Sequence, residues 1–397
     1  MQSWGAIPPS WTQRHGRSEG SVTPRAEVRA HRAAERPRGR DRFVRAMAIT
    51  AYDRPLELID QEPEDVGPGQ VAIRIQFSGV CRTDLKTARG QRSFSDEIVL
   101  PHIPGHEIAG TIEEVGDGVT FEVGTPAIVY SYQACGSCPG CRDGHENRCD
   151  SMRMWLGSTH PGGFQERIVV AEQCVLPVPP SVDMAKAATL PCGVGTAYHA
   201  TVAQADVRPG QRIAVIGCGG VGVHAVQIAK IGGAAVAVID PSERARSLAL
   251  DQGASVALNP LNDATPDQLR EFAPQGLDAV IETSGAPGMT MLAAKSVRRG
   301  GRVVMVGYRE DRPEEPFPQA DVVLREISML GSRGKSRGEL MRLIELLAAG
   351  VIDPVVSEVL PLTEINTIFD RLETGDIVGR QVLAVGTDAA TGAGSRA

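Results

Sequence analysis

Three short stretches of the chain carry residues able to do metal chemistry: Gly79-Val80-Cys81-Arg82-Thr83-Asp84, Gly105-His106-Glu107 and Pro191-Cys192-Gly193. Together they offer two thiols and one imidazole, the soft and borderline donors that divalent zinc prefers. Three protein donors leave a tetrahedral position open, as catalytic zinc requires; a structural site closes it with a fourth side chain. A closed set lies elsewhere in the chain. Cys135, Cys138, Cys141 and Cys149 follow C-x2-C-x2-C-x7-C, a spacing that places four sulfurs around one ion. Iron–sulfur ligation is the rival for so tight a run. Here the fourth cysteine stands apart with no proline after it, in a stretch rich in glycine and charge, and we favour structural zinc. Cys174 and Cys218 are left over and read as small buried residues.

A second kind of chemistry is written at Ile213-Ala214-Val215-Ile216-Gly217-Cys218-Gly219-Gly220-Val221-Gly222. This is a strand running into G-x-G-x-x-G and then a helix. Gly217 permits the tight turn, Gly219 lets backbone approach a pyrophosphate, and Gly222 lets helix and strand pack closely. Gly220 and Val221 complete the loop, and the pyrophosphate would sit at the free N–H groups of the helix start. The next strand ends in Asp240, where a carboxylate accepts from ribose hydroxyls and repels a 2′-phosphate, so NAD is expected over NADP. Arg244 lies close enough in sequence to soften that preference.

The elements needed to position these residues fall into two kinds. From Met47 to Gln76 the chain alternates turns with short apolar strands, Val71-Ala72-Ile73-Arg74-Ile75 being the clearest period-two run. Ile108 to Val115 and Pro126 to Tyr130 continue that pattern, punctuated by Gly and Pro as a bent, barrel-like sheet requires. The character changes near Asp183. A short helix is expected over Met184 to Leu190 and another over Gly195 to Val207. Strand and helix then alternate: Ile213–Gly217, Val221–Lys230, Ala235–Asp240, Ser242–Gln252 and Ser255–Leu258, with later strands at Ala279–Glu282, Val303–Val306 and Ile327–Leu330. Such alternation signals a parallel, doubly wound sheet. A helix over Gly338–Ala349 and a β return through Val382-Leu383-Ala384-Val385 close the chain.

At 397 residues there is room for two domains, and 42% hydrophobic with 22% charged residues is ordinary for a globular protein. No apolar run approaches the roughly 20 residues of a membrane-spanning helix, so no membrane role is expected. The net charge of -7 argues against a general nucleic-acid binder. The charge is uneven, because residues 1–46 hold ten Arg against Glu19, Glu27, Glu35 and Asp41. Four acids, scattered Pro and no apolar stripe do not suit a targeting peptide. That stretch is expected to be a disordered basic extension, or to precede a working start at Met47, and residues 386–397 to be a frayed tail. Cysteines set out as ligands, with no signal peptide, point to a cytoplasmic protein rather than a disulfide framework.

With these motifs in their order, from G-V-C-R-T-D through P-G-H-E, the four-Cys lobe and Cys192 to the glycine turn and the β return, the sequence resembles the zinc-containing, medium-chain alcohol dehydrogenase family over roughly Met47 to Val385. The resemblance implies an α/β protein. A GroES-like β catalytic domain, residues 47–193 and 332–385, would be interrupted by an NAD-binding Rossmann domain, residues 194–331. It implies that Cys81, His106 and Cys192 hold a catalytic zinc, with Glu107 behind the metal, and that two zinc ions and NAD serve each chain. Asp84 would orient His106 through its second ring nitrogen, or cap the helix that follows. Thr83 would pass the alcohol proton outward, and Arg82 and Arg380 would meet the cofactor pyrophosphate. Many relatives carry His five positions after the first zinc cysteine; here that position is Lys86, which leaves the end of the proton relay open.

The activity implied is reversible oxidation of a primary or secondary alcohol to an aldehyde or ketone. The substrate would be a small molecule, in a pocket lined by residues such as Trp155, Leu156 and Phe164, and the assembly a homodimer or homotetramer. Within the superfamily the runner-up is a polyol or diol dehydrogenase, which often takes Glu as third ligand. A specialised-metabolism alcohol dehydrogenase is a further alternative. A zinc-ribbon nucleic-acid binder, from a different class, is disfavoured by the acidic body and the separate open metal site.

Overall fold

The period-two run around Val71 forms the first half of a long strand, and the catalytic half is hung on it. In the computed structural model, which describes residues 43–92, 98–309 and 318–386, the strands of this half are β1 (Val44–Ala48), β2 (Glu57–Gln61), β3 (Gln70–Val80), β4 (Glu107–Val115), β5 (Pro126–Val129), β6 (Tyr132–Gln133), β7 (Met154–Trp155), β8 (Arg167–Ala171) and β9 (Val175–Pro177). β3 pairs along its length with β4 and, at its start, with β8. Val71, Ile73 and Ile75 are fully buried, and Arg74 between them is exposed. Ala72 is buried as well, so the one-face alternation of a half-buried sheet is kept only from Ile73 to Ile75.

The nucleotide half is a separate sheet. Strands β10 (Arg212–Ile216), β11 (Ala235–Ile239), β12 (Val256–Leu258), β13 (Leu277–Glu282), β14 (Val297–Met305) and β15 (Ser328–Gly331) are all parallel. Their spatial order is β12-β11-β10-β13-β14-β15, the doubly wound order that reverses beside its first strand. The glycine turn follows β10 and lies at that reversal, where open α/β sheets bind their ligands. Strands β16 (Val356–Pro361) and β17 (Arg380–Ala384) then return to the first sheet, where β17 runs antiparallel to β3. Helix Arg337–Ala348 packs where the two sheets meet: Leu340 and Leu343 share one apolar core with Ile128 and Leu176 of the first sheet and Val215 of the second.

Two local expectations are corrected. The helices over Met184–Leu190 and Gly195–Val207 are one continuous helical run from Met184 to Gln204, which widens into π-helical turns at Leu190–Val194 and His199–Gln204. Pro191 has no N–H to give the preceding turn, and the run relaxes by widening there rather than stopping. Such turns concentrate at functional sites, and this one carries Cys192. The fold also starts earlier than Met47. Val44 and Ala46 are buried in β1, paired with Gln61 and Ile59 of β2. Residues 1–42 and 387–397, to which the expected tails otherwise belong, lie outside the described residues.

Candidate active site

Sheet register brings two of the candidate donors together. Gly79 near the end of β3 faces Glu107 at the start of β4, so Cys81 and His106 project from adjacent strand ends. Gly105 precedes His106 with φ of +100°, and a side chain there would drive into the ring of Phe164. The sharp turn that presents His106 therefore needs glycine. The π turn delivers Cys192 from the helical run. The outcome is one cluster: the Cys81 and Cys192 sulfurs are 4.0 Å apart, and His106 Nε2 lies 3.3 Å from the Cys192 Sγ. The Glu107 carboxylate is within 4.8 Å of the other donors.

Asp84 is fully buried beneath this cluster. Its Oδ1 is 2.8 Å from His106 Nδ1 and accepts from the Gly105 N–H, while Oδ2 accepts from the Cys81 N–H at 2.8 Å. A carboxylate on Nδ1 keeps the proton there and leaves the Nε2 lone pair aimed at the sulfurs. Asp84 thus orients the imidazole and caps helix Arg82–Ala88 at once, the two roles its position allowed. Glu107 is fully buried too, and is clamped by Arg380, whose Nε donates to Oε2 at 3.0 Å and whose Nη2 donates to Oε1.

Zinc suits this donor set. Tetrahedral zinc at ordinary bond lengths separates two sulfurs by about 3.8 Å and a sulfur from a nitrogen by about 3.5 Å, near the separations found. Without a cation, two sulfurs so close must share a proton: a hydrogen bond from Cys192 draws the Cys81 thiol well down, and Cys192 is pushed correspondingly up. A divalent ion removes that conflict. The second donor set lies in a lobe that leaves the ribbon of β6 and β7, in which Tyr132 pairs with Trp155. There the four sulfurs of Cys135, Cys138, Cys141 and Cys149 lie within 4.8 Å of one another. Backbone N–H groups of Ser137 and Cys138 donate to the Cys135 Sγ and bring its thiol down to about 6. The fully buried Cys174 and Cys218 belong to neither set, and burial pushes both thiols up to about 12.

The nucleotide turn has the shape its glycines foretell. Gly217 has φ of +84°, and a Cβ on Gly222 would lie 1.9 Å from the Gly217 carbonyl oxygen. A Cβ on Gly219 would meet nothing within 4 Å, so the backbone there faces open space of the kind a pyrophosphate fills. Asp240, just after β11, accepts from the Cys218 and Ser242 N–H groups at 2.7 and 2.8 Å, which ties the turn to the end of that strand.

Other candidates sit less directly. Arg82 donates to the Leu372 carbonyl, and Arg244 pairs with Asp376 on the surface. Arg380 lies at the glycine turn, since a Cβ on Gly220 would come within 2.5 Å of its Nη1, but its carboxylate partner is Glu107. Arg246, which the sequence did not single out, donates to the Asp240 and Pro241 carbonyls. Lys86 donates to the Tyr308 carbonyl at 2.9 Å and reaches over that ring. Of the three aromatic or apolar pocket candidates, Leu156 and Phe164 are core residues, and Trp155 is half-buried, packed against Tyr132. Sequence reading missed the linked set to which Trp155 belongs: Tyr132, Arg92 and Arg333 lie against Trp155, Tyr308 against Arg92, and Lys335 against Tyr132. They come from four segments, and no spacing joins them.

Comparison with known proteins agrees with this geometry. Residues 67–180 match the alcohol dehydrogenase GroES-like domain, and residues 220–349 match the zinc-binding dehydrogenase domain. An alcohol dehydrogenase of Geobacillus stearothermophilus is 36% identical over 86% of this chain and all of its own length. An NAD-dependent alcohol dehydrogenase of Sulfolobus acidocaldarius is 33% identical over 86% of this chain and all of its own. Among solved structures, an acetophenone reductase from Geotrichum candidum in complex with NAD superposes with a TM-score of 0.77. It is 32% identical and covers 87% of this chain and 98% of its own. On the strength of the donor cluster, the doubly wound sheet and these matches, the chain belongs to the zinc-containing, medium-chain alcohol dehydrogenase family.

Proposed function

We propose that the protein is a zinc-dependent oxidoreductase that interconverts a small-molecule alcohol and its aldehyde or ketone with NAD. The observation that carries this is the incomplete donor set of Cys81, His106 and Cys192, set across from a nucleotide turn whose Gly219 backbone is open. When bound, zinc supplies Lewis acidity at the open position and NAD supplies the two-electron acceptor. The net change is alcohol plus NAD+ to carbonyl compound, NADH and a proton.

The chain's own residues do the positioning. Asp84 holds His106 in one tautomer and orientation, which keeps the donor set rigid. Glu107 is neutralised by Arg380, so its carboxylate does not compete for the open position; this disfavours the Glu-ligated polyol dehydrogenase reading. Arg380 in turn couples the donor cluster to the glycine turn. The Thr83 hydroxyl, beside Cys81, is the group we assign to receive the alcohol proton. Lys86 is held to Tyr308 across the two halves and does not end the relay, so the proton leaves to water. Asp240 presents its carboxylate to the adenosine ribose, and NAD is preferred over NADP. The four-cysteine lobe holds a second, structural zinc. We further propose a homodimer or homotetramer working in the cytoplasm; among the described residues no helix is long and apolar enough to cross a membrane.

The test is nicotinamide reduction, followed at 340 nm, by zinc-loaded protein with NAD or NADP across primary, secondary, diol and polyol alcohols. Turnover of simple alcohols with NAD supports the proposal. Turnover confined to vicinal diols replaces it with the polyol class.

A further inference from the structure

The family's chemistry leaves one buried charge unexplained. Lys335 is 1% exposed, and a lone ammonium is among the costliest groups to bury without an anion. Its backbone is fixed by the Tyr130 hydroxyl, which donates to the Lys335 carbonyl at 2.9 Å. Its stem lies across Gly195, one turn beyond Cys192, where an added Cβ would be 3.0 Å from Lys335 Cγ and Cδ. The ammonium reaches over the rings of Tyr130 and Tyr132, at 5.4 and 4.9 Å from their centroids. Among the described residues its one hydrogen-bond acceptor is Ser131 Oγ, at 3.4 Å. Three N–H donors share that single long contact.

The neighbouring acids are committed elsewhere. Glu339, the acid of the same segment, binds His199 Nδ1 with both oxygens and accepts from the Ser336 N–H. The Cys81 and Cys192 sulfurs are near enough to act on Lys335, whose pKa burial nonetheless brings down to about 8. Two thiolates around a divalent ion form a neutral set, so once metal is bound they no longer balance the ammonium.

Lys335 is not alone. Two residues earlier, the Arg333 guanidinium lies over Trp155 at 4.9 Å and over Tyr132 at 5.8 Å. Among the described residues no ion pair of Arg333 is found. Arg92, buried and 5.4 Å from the Trp155 ring centroid, donates to the Tyr308 hydroxyl at 2.7 Å and adds a third positive charge. Cations ordered against ring faces beside a metal-donor cluster form a surface for an anion, whereas an unadorned alcohol asks only for an apolar wall.

We infer that the alcohol this site takes carries an anionic group, and that Lys335 and Arg333 receive it while the carbinol lies at the Cys81, His106 and Cys192 cluster. The inference rests on the oxidoreductase reading above and names its substrate class. The anionic group is a spectator. The bonds broken and formed, the hydride and the departing proton are those of the alcohol oxidation already written.

The test compares 3-hydroxybutyrate and 3-hydroxypropyl phosphate with neutral partners of similar size, methyl 3-hydroxybutyrate and 1,3-butanediol, on zinc-loaded protein with NAD. We expect kcat/KM to favour an anionic substrate by roughly ten- to a hundredfold, the ratio one charge-assisted hydrogen bond supports. Which anion is preferred separates carboxylate from phosphate. Lys335→Met should collapse that ratio towards one, and Lys335→Arg should restore it. Equal or better use of the neutral partners, or a preference that survives Lys335→Met, overturns the inference and leaves the oxidoreductase reading standing. Calorimetry of butyrate against butyramide on the NADH-bound enzyme keeps the two claims apart. Tighter binding of butyrate, lost in Lys335→Met, upholds the anion site even where no alcohol is turned over; equal binding overturns it.

Discussion

The two donor clusters are built in opposite ways. In the four-cysteine lobe all donors lie within Cys135–Cys149, partly exposed, and the support comes from backbone N–H groups of the same loop. In the buried centre the donors come from a strand end, a tight turn and a π turn, and the support comes from side chains of other segments. Asp84 orients His106, and Arg380, 273 residues from Glu107, holds that carboxylate. A cluster held by its own backbone needs little beyond its ion to be well formed. A cluster held by distant side chains is set by the whole fold, and can keep one position open because the scaffold, not the metal, fixes its shape.

This contrast can be broken or sharpened by mutation, and the largest effect should fall on the centre. Cys192→Ser should lower kcat/KM by about a thousandfold or more, about 4 kcal/mol of transition-state stabilisation. Elemental analysis should then find one zinc per chain in place of two, with thermal unfolding close to wild type. Cys141→Ser should do the reverse. It should also leave one zinc, but cost several kcal/mol of stability because metal binding is folding energy in such a lobe, with turnover per folded molecule held within about tenfold. If Cys141→Ser stopped turnover in fully folded protein, the division of roles would be wrong.

A smaller effect is expected at the support. Asp84→Asn keeps the shape but offers His106 a neutral partner, and should weaken zinc at the centre by about 10- to 100-fold in a chelator competition. Zinc in the lobe should not respond. The smallest effect lies between the two halves. His224 is fully buried, donates from Nδ1 to the Gly220 carbonyl and accepts from the Val355 N–H at Nε2. The bond accepted at Nε2 requires the neutral ring, and burial lowers its pKa from 6.5 to about 4. The unfolded chain therefore takes up this proton before the folded one does. Its contribution is intact above about pH 6.5 and is lost as pH falls towards 4, by roughly 3 kcal/mol. Chemical denaturation from pH 7 to 4 should show that slope in the wild type and a shallower one in His224→Asn.

What the sequence made legible follows the same division. The lobe could be read directly, since its ligands are neighbours and spacing is their geometry. So could the glycine turn, where Gly217 and Gly222 are required by backbone shape alone. The alternation from Arg212 onward disclosed the parallel sheet. The centre was legible only as three fragments whose meeting depends on strand register and on the π turn at Leu190–Val194, and a proline inside an apolar run does not announce such a turn. Arg380 was expected at the cofactor pyrophosphate, and its pairing with Glu107 is a tertiary fact that no spacing announces. Lys335 was invisible for the same reason. A lysine in Gly334-Lys335-Ser336-Arg337 looks like a solvated loop residue until Tyr130, Tyr132 and Gly195 close around it.

The most direct test of the account is to count zinc and turnover together as metal is returned to chelator-stripped protein. The account predicts that the first equivalent fills the lobe, restoring thermal stability but no alcohol oxidation, and that activity appears only with the second. Full activity at one equivalent, or oxidation that persists in Cys192→Ser at two, would contradict an open, working metal held by Cys81, His106 and Cys192.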